Sequence, residues 1–219
     1  SEHVSGKSYE AYLREHILDP AGMKNSGYDH NETILPKRAY GYDKTLTGFE
    51  VTDFIDMSGP YAAGALYSTV EDLYLWDRAL KSNVLLSPEL KKKMFTPGLN
   101  HYGYGWGVYQ VPVKPGSDSV MAVAHSGGIN AFNTRIFRIP EDDHLVVLLA
   151  NTPGVQLQQI VDRIIAILYD RSYESPKKDA AEEIGKIIVE QGLDPAIERY
   201  DQLKDDLPEH YALNEGRIN

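Results

Sequence analysis

Val120-Met121-Ala122-Val123-Ala124-His125-Ser126-Gly127-Gly128, then Asn133 to Ile139, then Leu145-Val146-Val147-Leu148-Leu149-Ala150, is the stretch that decides the fold. Val120–Ala124, Asn133–Ile139 and Leu145–Ala150 read as strands, the last two joined by the turn sequence Pro140-Glu141-Asp142-Asp143. Tyr104–Val111, where glycines alternate with aromatic and branched residues, reads as a strand that precedes them. Strands in direct succession with short connections imply an antiparallel meander. Leu145–Ala150 is apolar on both faces, which predicts a central strand covered on both sides. Val155–Tyr169 returns to helical spacing, with Leu157, Ile160, Val161, Ile164, Ile165 and Leu168. The expected class is α+β: an antiparallel sheet flanked by helices, followed by a helical tail.

Upstream, Tyr9–Ile17 reads as a short amphipathic helix capped by Ser8, with Pro20 and Gly22 forbidding its continuation. Residues 24–62 are turn-rich, with a short strand expected around Arg38–Tyr42. Ser68 and Glu71 have capping-box spacing for a helix to about Lys81 that buries Val70, Leu73, Trp76, Ala79 and Leu80. Ser87-Pro88-Glu89 opens another helix. Tyr173–Lys178 reads as a linker. Beyond it, Lys178–Gln191 and Pro195–Leu203 form a helical hairpin broken by Gly192-Leu193-Asp194-Pro195, with a third helix near Glu209. Ala181, Ile184, Ile187 and Ile188 should face Ile197, Tyr200 and Leu203.

Composition removes several function classes. With 22 Lys+Arg against 32 Asp+Glu, the net charge of −10 offers no basic face for a phosphate backbone, so no nucleic acid is expected. Cysteine is absent, which excludes disulfides, a thiolate nucleophile and Cys-ligated zinc. Seven histidines are scattered without H-x-H or H-E-x-x-H spacing, so no metal is expected. The run Leu145–Ala150 is far shorter than the roughly 20 apolar residues of a membrane span. Ser1–Gly6 is polar, and the chain reads as an excised fragment without a signal peptide.

The strongest chemical feature is His125-Ser126-Gly127-Gly128 at a strand end. Two glycines let a ligand approach the backbone, and a strand-edge N–H aimed at a carbonyl oxygen is how an oxyanion hole is built. By spacing alone, an ordinary strand-turn with a packing histidine fits these residues more readily. Gly103-Tyr104-Gly105-Trp106-Gly107 lacks the lysine and helix of a phosphate loop, and Glu141-Asp142-Asp143 reads as a solvated turn. Met23 and the Tyr67/Tyr74/Trp76 group read as core.

Order changes the reading. Ser5–Leu13, Leu18-Asp19-Pro20-Ala21-Gly22-Met23, Ala63–Leu73, Tyr104-Gly105-Trp106-Gly107 and His125-Ser126-Gly127-Gly128 occur in a sequence that resembles the serine β-lactamase family of class C type. That family includes D-alanyl-D-alanine carboxypeptidases, D-aminopeptidases and esterases. The resemblance implies that residues 1–172 are the later part of the catalytic domain and 173–219 a helical extension. It implies three motifs, Ser-x-x-Lys, Tyr-x-Asn and Lys-Thr-Gly or His-x-Gly, of which His125-Ser126-Gly127 is the third. No Ser-x-x-Lys stands at a helix start, and no Tyr-x-Asn is present.

On that resemblance, Gly128 contributes its N–H to the oxyanion hole, and Ser126 and Gly127 line the substrate edge. His125 replaces the family's lysine near a substrate carboxylate or the tyrosine hydroxyl; histidine titrates near neutrality, so such a role varies with pH. The implied reaction is acyl transfer from an amide or ester to serine, then hydrolysis, with no metal or organic cofactor. A small molecule or peptide is the implied substrate, and a periplasmic or extracellular site is suggested. The chain alone, without an activated serine, is expected to be inactive. A non-catalytic binding module of the same descent is the competing reading, and an esterase unrelated to the cell wall a third. The family's sheet takes further strands from upstream, so an exposed edge and self-association are expected.

Overall fold

The computed structural model describes residues 2–46, 48–113, 119–206 and 211–212. Its centre is a four-stranded antiparallel meander: β5 (Gly107–Pro112), β6 (Ser119–Ile129), β7 (Phe132–Ile139) and β8 (His144–Ala150), in that spatial order. The alternation of side chains along these strands sorts them onto two faces. Ala122, Ala124, Phe137, Ile139 and Val146 pack against Val161 and Ile165 of α6 (Leu157–Leu168). Val123 and Val108, with Ile136 beside them, pack on the other face against Trp106 and Leu80 of α4 (Val70–Lys81), next to α5 (Pro88–Phe95). The fold is the expected α+β arrangement.

Leu145–Ala150 is not central. Its faces do meet α4 and the α6 core, which explains its apolar composition. Yet β8 pairs with β7 alone among the described residues and forms an edge of the sheet, with Leu149 44% exposed. Composition reports the covering of faces, not the pairing of edges. The acidic β7–β8 turn does more than face solvent: Asp143 takes ion pairs from Arg78 and Lys81 of α4, and Asp142 accepts from the Tyr169 hydroxyl beyond α6.

At the start of the chain, α1 (Glu2–Ser5) and α2 (Tyr9–Leu13) lead into a π-type turn, Arg14–Leu18. Contrary to expectation, helical backbone continues through Pro20 as α3 (Asp19–Ala21). The wide turn bonds Asp19 N–H to the Arg14 carbonyl, and Pro20 then sits in a first turn, where its missing N–H is not needed. Gly22, at φ +76°, makes the real stop. Two short strands, β1 (Gly27–Tyr28) and β4 (Leu66–Tyr67), pair antiparallel. The strand expected at 38–42 lies further on, as the hairpin of β2 (Tyr42–Thr45) and β3 (Gly48–Val51), while Arg38 is drawn away by an ion pair with Asp29.

The cap of α4 is Thr69, which accepts from Asp72 N–H; Ser68 instead bonds Ser26. This shift of one residue follows from Asp72, which is buried and accepts from the Asn25 backbone and the Ser26 hydroxyl. It leaves Val70 44% exposed, and Tyr74 is exposed as well, its ring under Arg78. Met23 is buried with Leu13 and Leu18 as core.

The tail comprises β9 (Lys178–Asp179), α7 (Ala180–Gln191) and α8 (Leu193–Asp206), with β10 (Tyr211–Ala212) parallel to β9. Gly192 alone makes the break, because Pro195 falls in the first turn of α8. Ala180, Ile184, Ala196 and Leu203 form the tail core, flanked by Ile187, Ile188 and Tyr200. Ile197 is half exposed and does not join it, because Ala196 takes the inward position. Glu209 lies outside the described residues.

Candidate active site

The strand expected from Tyr104 begins only at Gly107, and that difference creates the site. Gly105 adopts φ +78° and Gly103 N–H bonds the Trp106 carbonyl, so 103–106 is a tight turn. At Gly103 a Cβ would run into the Met94 carbonyl oxygen. β5 therefore ends its pairing with β6 at Gly107 opposite Ala124. The next five residues of β6, His125–Ile129, pair with β7 on one side only among the described residues. On the other side their backbone N–H and C=O groups form an open edge. Paired glycines in an aromatic strand pattern were the signal for this turn.

His125, Ser126, Gly127 and Gly128 are consecutive on this edge and all exposed. His125 follows Met121 and Val123 on the α4 face, its ring edge-on to Tyr102 at 6.2 Å between centroids. Gly127 pairs with Thr134, whose Oγ1 would lie 2.6 Å from any Cβ at position 127. Above Gly128 the space is open, the nearest atom to an added Cβ being the Phe132 carbonyl oxygen at 4.0 Å. A side chain at 127 would have to turn the Thr134 hydroxyl aside, whereas the space above Gly128 is unobstructed.

The far end of the strand is clamped. β6 and β7 meet in a two-residue turn, Asn130-Ala131, with both residues at positive φ. Asn130 Nδ2 donates to the Asp53 carbonyl at 3.0 Å, and Gly41 packs on the Asn130 carbonyl and on Ala131 so closely that no side chain fits there. Gly64, in the turn after Pro60, faces Ile129. The loops 40–41 and 53–64 thus form a wall beside the open edge.

One Ser-x-x-Lys spacing does occur, at Ser175-Pro176-Lys177-Lys178. It lies in extended chain before α7 and lines a groove with α6, on the sheet face opposite His125. On a helix, serine and lysine three apart are neighbours, and extended chain does not bring them together in that way. Among the described residues no helix is long and apolar enough to cross a membrane.

PbpX, a protein of Bacillus subtilis (strain 168) named for penicillin binding, is 35% identical over 167 residues, 75% of this chain and 40% of its own length. The octameric penicillin-binding protein homologue from Pyrococcus abyssi superposes with a TM-score of 0.66 at 29% identity, over 78% of this chain and 40% of that one. The fold is also that of the D-amino acid amidase from Ochrobactrum anthropi, with a TM-score of 0.60 at 24% identity over 76% of this chain and 51% of that one. This chain therefore spans well under two thirds of the length of these relatives. The Beta-lactamase family model matches residues 1–169, which takes in the whole meander, the open edge of β6 and α6, and the chain belongs to the β-lactamase family.

Proposed function

We propose that this chain is the later part of a serine acyl hydrolase of class C type, and that His125–Gly128 is the strand along which its substrate lies. The open edge of His125–Ile129 carries the proposal, because it presents unpaired backbone groups beside a glycine with clear space above it. The Gly128 N–H donates to the oxygen of the carbonyl under attack and stabilises the oxyanion that forms. Ser126 and Gly127 offer the substrate edge, and His125 supplies a hydrogen bond at its end. A serine hydroxyl becomes a competent nucleophile only when a base relieves it of its proton, and this chain holds neither Tyr-x-Asn nor a helical Ser-x-x-Lys. The acyl-serine therefore forms in the parent, on polypeptide outside this chain, from an amide or ester.

Intact-mass spectrometry after incubation with a β-lactam or a p-nitrophenyl ester tests this reading. The 219-residue chain should remain unmodified. The full-length parent should gain one acyl adduct, and Gly128→Val in that parent should slow turnover more than His125→Ala does. A stoichiometric adduct on a serine of this chain would overturn the proposal, as would unchanged turnover in both parent variants.

A further inference from the structure

A cavity lies between the start of α2, the chain at 28–32 and the loop that carries Asp56, Ser58 and Tyr61. Its volume is about 420 Å³, and Tyr9, Tyr28 and Tyr61 stand in its wall. Their ring centroids are 5.4–6.2 Å apart and the rings are inclined to one another by 50–77°, so no two stack face to face. In the edge-on pairs one ring's edge rests on the other's face, and His30 lies 4.8 Å from Tyr28 between centroids, so the ring surface left to a ligand is chiefly that of the tilted Tyr9–Tyr61 pair.

The polar part of the wall has one sign. Glu10, Asp29, Glu32 and Asp56 line the cavity, and no lysine or arginine does. Asp29 is ion-paired outward with Arg38, and Glu10 shares a 2.8 Å hydrogen bond with His30. Ser58 holds the Asp56 carboxyl below its ordinary range by hydrogen bonding to it, so Asp56 stays charged. Tyr61 donates its hydroxyl to Glu2 at 2.8 Å, which raises the electron density of its ring. Its backbone stands at φ +46°, an uncommon conformation for a bulky residue, and holds the ring in the cluster.

An uncharged apolar ligand gains nothing from these carboxylates, and an anion is repelled by them. A cation is attracted by both the tyrosine faces and the acids. Carboxylate acceptors further favour a cation that carries N–H donors. We propose that this cavity binds an alkylammonium group, such as the end of an amine-bearing side chain or a free amino terminus.

Titration of the isotope-labelled chain with butylammonium chloride, followed by amide NMR shifts, tests it, with 1-butanol as the uncharged counterpart. Butylammonium should produce saturable shifts at Tyr9, Tyr28, Ser58 and Tyr61, and 1-butanol should not. Glu10→Gln and Glu32→Gln, both at the rim, should each weaken binding about two- to fivefold while leaving the spectrum folded. Tyr61→Leu should weaken it about fivefold. Equal shifts with 1-butanol would show a plain apolar crevice, and absence of saturable shifts would show no site. Full affinity in both glutamine variants would likewise overturn the proposal. Because the readout is binding to this chain alone, failure here leaves the acyl-hydrolase reading untouched.

Discussion

Asp77 on α4 and Arg138 on β7 are 1% and 2% exposed, and Asp77 Oδ1 accepts from Arg138 Nε at 2.5 Å. The Arg138 guanidinium also lies over the rings of Phe95 and Trp106, at 5.6 and 5.7 Å from their centroids, and its Nη1 already has no hydrogen-bond partner. Asp77→Ala would leave that cation buried with neither a counter-charge nor a hydrogen bond. Removing one partner of a buried pair costs about 3–5 kcal/mol, mostly the desolvation of the group left behind. At roughly 2–4 °C per kcal/mol for a chain of this size, the melting temperature should fall by about 10 °C. The double variant Asp77→Leu/Arg138→Met removes both charges and should lie within about 1 kcal/mol of the parent chain. Thermal and urea unfolding of the three proteins decide the matter. A loss below about 1 kcal/mol for Asp77→Ala, or a double variant worse than the single, would refute the reasoning. The pair matters to the site because Arg138 stands opposite Val123, two residues before His125, and ties that strand region to α4.

Burial, and then its bond to Asp142, push the Tyr169 hydroxyl above the ordinary tyrosine range. An unfolded tyrosine ionises near pH 10 while the folded one stays protonated, so this contribution is complete below pH 10 and lost above it. Tyr169→Phe should be less stable near neutrality through the lost bond to Asp142, and flatter in its alkaline melting profile because no ionising hydroxyl remains buried; an unchanged profile would remove Tyr169 as the cause. In the tail, Ile184→Asn should lower the melting temperature more than Ile188→Asn, because Ile184 is 4% exposed and Ile188 only partly buried. Equal or absent effects in thermal melts would contradict the tail core described above. The outer edge of β8, with Leu149 exposed, should pair with a second copy. Sedimentation should show concentration-dependent association that Leu149→Lys suppresses, whereas a strict monomer at high concentration would count against it.

The meander was legible because each of its strands alternates or runs apolar between turn residues, and because no connection is long enough to cross over. Its limits were less so. Aromatic alternation over Tyr104–Gly107 resembles a strand, but Gly105 adopts a left-handed conformation that belongs to a turn. Leu145–Ala150 misled in the opposite sense, since two covered faces resemble a central position. The motif His125-Ser126-Gly127-Gly128 was visible, but its exposure depends on where β5 stops, a property of a different segment. The Tyr9/Tyr28/Tyr61 cluster was invisible, because no spacing brings residues 19 and 33 apart into one wall; long-range packing did.

The tail and the open edge are joined by a short series of contacts. Lys44 of the β2–β3 hairpin pairs with Glu182 of α7, and the end of the Leu46 side chain packs against Gly185. At its base the same hairpin is bonded to the end of β8, with Tyr42 N–H to the Asn151 carbonyl and Asn151 Nδ2 to the Tyr40 carbonyl. Gly41 then abuts the Asn130-Ala131 turn that closes β6 on β7. The hairpin therefore stands between α7 and the end of the strand that bears Gly128. With β7 on one side of that strand and this clamp at its end, the β5 side is the direction left open along His125–Ile129. Gly103 and Gly105, by turning the chain away before β5 begins, keep that direction open.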